Sequence, residues 1–150
     1  MELALTMMTT LNKSARDVMV QYNVHACTDV TGFGMLGHLY EMAQGSDVQI
    51  ALDVDAIDFI PEALELAQMG ILPEGMYRNR TFAEQAVDAG TTELAKQDLL
   101  YDPQTAGGLV MACDPADADA LFEALKAAVP SAQRIGTVSA YEGGKRIFLR

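Results

Sequence analysis

The sequence predicts an α+β domain, with a mixed or mainly antiparallel sheet packed by helices, and three observations lead there. Helical and strand periodicities interleave along the chain. The last strands read as a hairpin rather than as another strand–helix–strand unit. No Pro/Gly/Ser-rich linker divides the 150 residues. A chain of that length can bury roughly 70% of the surface its unfolded form exposes, so residues 1–150 are expected to form a single domain that needs no disulfide.

The elements follow in order. Leu11, Ala15, Val18, Met19 and Tyr22 recur at helical spacing, with Lys13, Arg16, Asp17 and Gln21 between them, which predicts an amphipathic helix. Met35, Leu36, Leu39, Met42 and Ala43 form a second stripe opposite Glu41, closed by Gly45. Val48, Ile50, Leu52 and Val54 alternate with Gln49, Ala51 and Asp53 as in a half-buried strand. Pro61 suits the first turn of a helix that runs through Leu64 and Ala67 to a stop at Gly70. Between Ile71 and Asp98 the pattern weakens to one short helix around Ala83–Val87. Leu109–Cys113, apolar on both faces, predicts a central strand. Asp114 as cap and Pro115 as first helical residue open a helix striped by Ala118, Leu121, Phe122, Leu125 and Val129. Arg134–Ala140, a Gly143-Gly144 turn and Lys145–Leu149 complete the hairpin.

Composition narrows the function. A formal net charge of −11 argues against nucleic-acid binding, which needs a basic face to displace counterions. It does not exclude phosphate, because distant charges are screened beyond about 8 Å at physiological salt. Cys27 and Cys113 are the only cysteines and read as reduced thiols. No apolar run reaches membrane-spanning length, and Met1-Glu2-Leu3 lacks the basic start of a signal peptide. The expected location is the cytoplasm, away from membranes.

The most informative run is Cys27-Thr28-Asp29-Val30-Thr31-Gly32-Phe33-Gly34. Two glycines in three residues let the backbone turn tightly and approach a ligand. The helix that follows offers unpaired N–H groups to phosphate. Asp29 is the hard oxygen ligand that Mg²⁺ takes, one or two at a time, while bridging substrate phosphates. Thr31, Gly32 and Gly34 are the phosphate-side candidates and Asp29 the metal candidate. The same residues also suit a plain helix cap, with the glycines serving backbone geometry alone.

Two further runs have two readings each. Asp102-Pro103-Gln104-Thr105-Ala106-Gly107-Gly108 could present Gln104 and Thr105 at a strand mouth, or simply deliver the chain into the sheet. Gly70-Ile71-Leu72-Pro73-Glu74-Gly75-Met76-Tyr77-Arg78-Asn79-Arg80 ends in a tight arginine pair. Arg78 and Arg80 could touch phosphate or a partner domain, or lie in a solvated loop. His25 and His38 have no partner at zinc-site spacing. Cys27 has no adjacent base to activate it and reads as structural.

Taken together, the three runs resemble the selenophosphate synthetase (selenide, water dikinase) family. Its C-terminal half carries TDVTGFG-L-GHL, G-(I/L)-P-x-G-x-x-x-N and DPQT-(S/A)-GGL segments in that order. They match Thr28–Gly34 with Leu36–Leu39, Gly70–Asn79 and Asp102–Leu109, position 106 being alanine where serine is commoner. The resemblance covers the chain from about Leu11 to its end. It implies the C-terminal-domain fold of the aminoimidazole ribonucleotide synthetase superfamily. It also implies a reaction taking ATP, selenide and water to selenophosphate, AMP and phosphate, with Mg²⁺ as cofactor and Asp29 as one of its ligands.

By the same resemblance the partner is an N-terminal ATP-binding domain, absent from these 150 residues, in an enzyme that is a homodimer. That domain carries the remaining metal aspartates and the reactive cysteine or selenocysteine. The fragment alone is therefore expected to be inactive. A related thiamine monophosphate kinase or hydrogenase maturation protein is the alternative within the superfamily, and Asp102-Pro103-Gln104-Thr105 speaks for the selenium enzyme. A free-standing binding or dimerisation module is the non-catalytic alternative.

Overall fold

A computed structural model describes residues 2–150. In chain order the elements are helices α1 (Glu2–Thr9) and α2 (Lys13–Met19), strand β1 (Val24–Asp29), helix α3 (Gly34–Gly45) and strand β2 (Val48–Leu52). Helices α4 (Pro61–Gln68) and α5 (Glu74–Ala83), strand β3 (Val87–Asp88) and helix α6 (Leu94–Tyr101) follow. Strand β4 (Leu109–Cys113), helix α7 (Ala118–Ala128) and strands β5 (Gly136–Ala140) and β6 (Ile147–Leu149) complete the chain. Single 3-10 turns span Val54–Ala56 and Glu84–Ala86. Helices and mixed strands together make this an α+β fold.

The chain groups into two compact units, one of residues 2–30 and 105–134 and the other of residues 31–104 and 135–150. In the first, β1 and β4 form an antiparallel pair running from Val24 opposite Cys113 to Asp29 opposite Leu109. Helix α2 packs on α7, and Leu121 of α7 is buried. Strand β1 alternates strictly, so that His25, Cys27 and Asp29 share the exposed face.

The second unit holds a four-stranded sheet in the order β3-β6-β2-β5. Strand β6 is parallel to both β2 and β3, whereas β5 runs antiparallel to β2. Its core comprises Leu36 and Leu39 from α3, Leu52 from β2, Met76 from α5, Leu100 from α6 and Ile147 from β6, all fully buried. Helix α4 forms as its Pro61 start and Gly70 stop require, with Gly70 in the left-handed region at φ 75°.

Several expectations are corrected. The C-terminal strands are not a hairpin: β2 lies between β5 and β6, because the alternating Ile50 and Leu52 bury a strand that needs neighbours on both edges. Leu109–Cys113 is not a central strand. Among the described residues its one strand neighbour is β1, and every residue of β4 keeps partial exposure. The helix expected around Ala83–Val87 is a 3-10 turn leading into β3, and two full helices, α5 and α6, flank it. The first amphipathic helix is shorter than its stripe, and Leu11 is 78% exposed ahead of it. Helix α7 starts one turn later than expected. The Asp114 carboxylate accepts the Ala116 N–H in a preceding turn, and Asp117 stands at the cap position. In α3, Gly45 is the last helical residue and Asp47, at φ 52°, takes the left-handed position.

Candidate functional site

The Thr28–Gly34 run passes from the first unit to the second between Val30 and Thr31, so its two halves are built by different surroundings. Asp29 ends β1 on the exposed face. The Thr28 hydroxyl donates to the Asp29 main-chain oxygen at 3.1 Å. The carboxylate itself accepts no hydrogen bond and forms no ion pair among the described residues. It lines a shallow depression of about 690 Å³, together with Lys13, Arg16, Cys27 and Thr28. Helix α2 thus brings two cations to the same surface, although both also hold Asp17, Arg16 at 2.8 Å. The Cys27 thiol is pushed above its ordinary range by partial desolvation, with the charge of Asp29 adding to it. A thiolate at neutral pH is disfavoured there.

In the second unit, α3 begins at Gly34 with Phe33 at the cap position and no side-chain cap. Gly34 sits at φ 69°, and a Cβ there would lie 2.7 Å from the main-chain carbon and oxygen of Tyr101. Only glycine permits that approach. Gly32 differs, because a Cβ on it would meet nothing within 4 Å. The Thr31 hydroxyl pairs with His38 Nε2 at 3.1 Å, so its side chain is turned to α3. The Thr31 carbonyl accepts the N–H groups of Gly34 and Gln104, both at 3.0 Å.

One buried side chain ties the first two motifs to the residue that precedes the third. The Asn79 amide nitrogen donates to Gly32 O and to Tyr101 O, each at 2.9 Å. Gly75, in the same motif as Asn79, would place a Cβ 2.9 Å from Pro103 Cγ. Gln104 folds back onto Asp102, its amide donating to the carboxylate at 2.8 Å. Burial raises the Asp102 carboxyl pKa, and that hydrogen bond offsets the rise only in part. In the first unit, Thr105 is exposed, and a Cβ on Gly107 would come within 2.4 Å of Val30 O.

The arginine pair is not a solvated loop. Both residues lie on α5: Arg78 is exposed and 3.9 Å from Glu74, whereas Arg80 is ion-paired with the buried Asp98 and stacked 5.3 Å from the Tyr101 ring centre. Burial drives Tyr101 up to about 12, against the opposing pull of Arg80. Sequence reasoning missed the joining role of Asn79, which only its place in the second motif could have signalled. It also missed Lys13 and Arg16 as neighbours of Asp29, although their spacing put them on one polar helix face.

The chemistry of the donor set fits a weakly held Mg²⁺. One exposed carboxylate, without a partner among the described residues, is the kind of ligand Mg²⁺ takes while keeping several waters. Among the described residues, no three His, Cys, Asp or Glu side chains cluster to hold a metal on their own.

Residues 2–148 match the family described as AIR synthase related protein, C-terminal domain. Proteins named selenide, water dikinase are similar as well. That of Treponema denticola is 47% identical over 119 residues, covering 79% of this chain and 34% of that protein. That of Caldanaerobacter subterraneus subsp. tengcongensis is 46% identical over 123 residues, covering 82% and 36%. That of Pelobacter propionicus is 49% identical over 121 residues, covering 80% and 35%. The chain spans about a third of the length of these curated relatives.

Proposed function

Because the chain belongs to the AIR synthase related protein, C-terminal domain, family, we propose that it serves as the C-terminal portion of a selenide, water dikinase. The whole enzyme would take ATP, selenide and water to selenophosphate, AMP and phosphate, in the cytoplasm and as a homodimer. An N-terminal ATP-binding portion would supply the other metal aspartates and the nucleophile. The observation that carries this reading is the Asp29 carboxylate, exposed at the end of β1 with no hydrogen bond or ion pair among the described residues, within a chain 46–49% identical to proteins of that name.

Phosphoryl transfer is mainly positioning and charge neutralisation. Asp29 would be the residue of this chain that holds magnesium, which would supply positive charge against the charge that builds during transfer. Asp29 contributes one ligand. Lys13 and Arg16 place positive charge at its depression in a chain of net charge −11. The Thr31–Gly34 turn contributes backbone rather than side-chain groups. Gly32 has open space for a close ligand, and Gly34 sets the turn. The Asp102-Pro103-Gln104-Thr105 run favours the selenium enzyme over other members of the superfamily.

Manganese is a paramagnetic stand-in for magnesium. Titrated into the labelled chain, it should broaden the NMR signals of Thr28, Asp29 and Cys27 first, and Asp29→Asn should abolish that selectivity. Broadening centred elsewhere, or unchanged in the variant, would remove Asp29 from the metal site. In an enzyme carrying this segment, Asp29→Asn should cut AMP formation severely, a lost magnesium contact being worth several kcal/mol. The 150 residues alone should form no AMP from ATP and selenide.

A further inference from the structure

We propose that His38 is a positioning residue for phosphoryl transfer. Held by Glu41 in the form that carries its proton on Nδ1, it anchors the Thr31 hydroxyl through Nε2 and so fixes the Thr31–Gly34 turn. The role rests on the reading of that turn as the phosphate side of the site. His38 lies on α3, one helical turn beyond Gly34. Its side chain is only 11% exposed, and both ring nitrogens meet a partner. Nε2 is 3.1 Å from the Thr31 hydroxyl, and Nδ1 is 3.4 Å from a Glu41 carboxylate oxygen. Hydroxyl, imidazole and carboxylate thus stand in series, all three within the second unit.

Glu41 follows His38 by one helical turn on the same face of α3, so a single rigid element supplies both groups. Which nitrogen of an uncharged imidazole holds the proton is set by the partner of the other, and a carboxylate beside Nδ1 draws the proton there. Nε2 is then a bare acceptor. The Thr31 hydroxyl donates to it, which fixes the rotation of that side chain.

The same ring braces both neighbours of Gly32. It bonds Thr31 on one side and meets Phe33 edge-on at the other, the ring centres 5.6 Å apart. Gly37, next to His38, lets Phe33 lie against the helix, because a Cβ there would stand 2.7 Å from Phe33 Cβ. Phe33 is held from outside as well, stacked on Phe82 at 5.5 Å. The Thr31 carbonyl takes the N–H groups of Gly34 and Gln104, and the Gly32 carbonyl takes the Asn79 amide. The holds on the turn therefore come from carbonyls and flanking side chains, while the space at Gly32 stays open. An apolar side chain at position 38 would fill the same volume without setting a direction. Direction matters for reaction, since a misplacement of about 1 Å can cost on the order of a hundredfold in rate.

Imidazole ¹⁵N–¹H correlation spectra of this chain at about pH 8, above the ordinary histidine range, report the tautomer directly. His38 should show a protonated Nδ1 and an unprotonated Nε2. Glu41→Leu should move it toward the Nε2-protonated form that free histidine favours. In an enzyme carrying this segment, His38→Leu should lower kcat for AMP formation at least about tenfold, with KM for ATP nearly unchanged. His38→Gln, whose amide reaches the place of Nε2, should restore most of that loss. His38→Asn, which reaches only the place of Nδ1, should not, and this pair decides the matter even where the leucine variant fails to fold. Thr31→Val should match His38→Leu, and the double variant should be no slower than either, since both remove one bond. A ring protonated on Nε2 in the unaltered chain, a kcat indifferent to His38→Leu in an enzyme that Asp29→Asn disables, or additive losses in the double variant would each overturn the proposal. Absence of AMP formation in the unaltered enzyme would overturn the dikinase reading itself, a failure the spectra of this chain do not share.

Discussion

Replacing Asn79 by alanine removes one amide group that two parts of the second unit share. Asn79 is 7% exposed and donates to Gly32 O and Tyr101 O, both at 2.9 Å. Each hydrogen bond contributes about 1 kcal/mol net. The Tyr101 carbonyl, inside the unit, would also lose its polar partner, at about 1–3 kcal/mol of uncompensated desolvation. The sum is roughly 3–5 kcal/mol, large against the 5–15 kcal/mol that hold an ordinary domain together. Urea unfolding should show a lower midpoint at unchanged slope, and a thermal melt should fall by several degrees. Asn79→Asp tests the cause, since it keeps the shape but turns carboxylate oxygens toward two carbonyls. At neutral pH it should cost more than alanine does. A loss below about 0.5 kcal/mol for Asn79→Ala, or an aspartate variant milder than the alanine one, would refute this account of how Asn79 holds Gly32 and Tyr101 together.

Other outcomes follow from the same structure. Arg80→Met should destabilise by about 3 kcal/mol, because it strips the buried Asp98 of its ion partner. Pairing it with Asp98→Leu should recover most of the loss in denaturant unfolding. Tyr101 is 3% exposed and its ionisation is pushed up to about 12. The neutral ring is therefore favoured in the folded state, and its contribution is complete below about pH 10. It is lost as pH rises toward 12, by roughly 2–3 kcal/mol, and Tyr101→Phe should flatten that alkaline slope. Iodoacetamide should alkylate Cys27 more slowly at pH 7 than it does a free thiol. Asp29→Asn, removing the lesser of the two causes that raise the thiol, should quicken the reaction modestly.

Elements whose buried stripe is apolar could be read directly. Helix α3 was visible through Leu36, Leu39 and Ala43, β2 through Ile50 and Leu52, and α4 through its Pro61 start and Gly70 stop. Helices α5 and α6 were not, because each buries a polar residue on its inner face. Asn79 lies between Met76 and Ala83, and Asp98 between Ala95 and Tyr101. Such residues lie inside only when another element satisfies them, and that element is remote in sequence. Strand β1 was hidden for another reason. Its exposed face carries His25, Cys27 and Asp29, and its inner face only Val24, Ala26 and Thr28, too weakly apolar to mark a strand.

What the sequence determined by itself was local: three motifs in order, an acidic chain without a membrane-length apolar run, and helices and strands wherever spacing and punctuation agree. It also singled out Asp29. What the tertiary structure decided was non-local. It put β2 between β5 and β6, turned the Thr31 hydroxyl to His38, and ran Arg80 to Asp98 and Asn79 to two distant carbonyls. Periodicity reports which face of an element is apolar, because that depends on neighbours a few residues away. Which strand lies beside which, and which buried amide or charge finds a partner, depends on groups tens of residues apart. Their meeting is set by the packing of the whole unit.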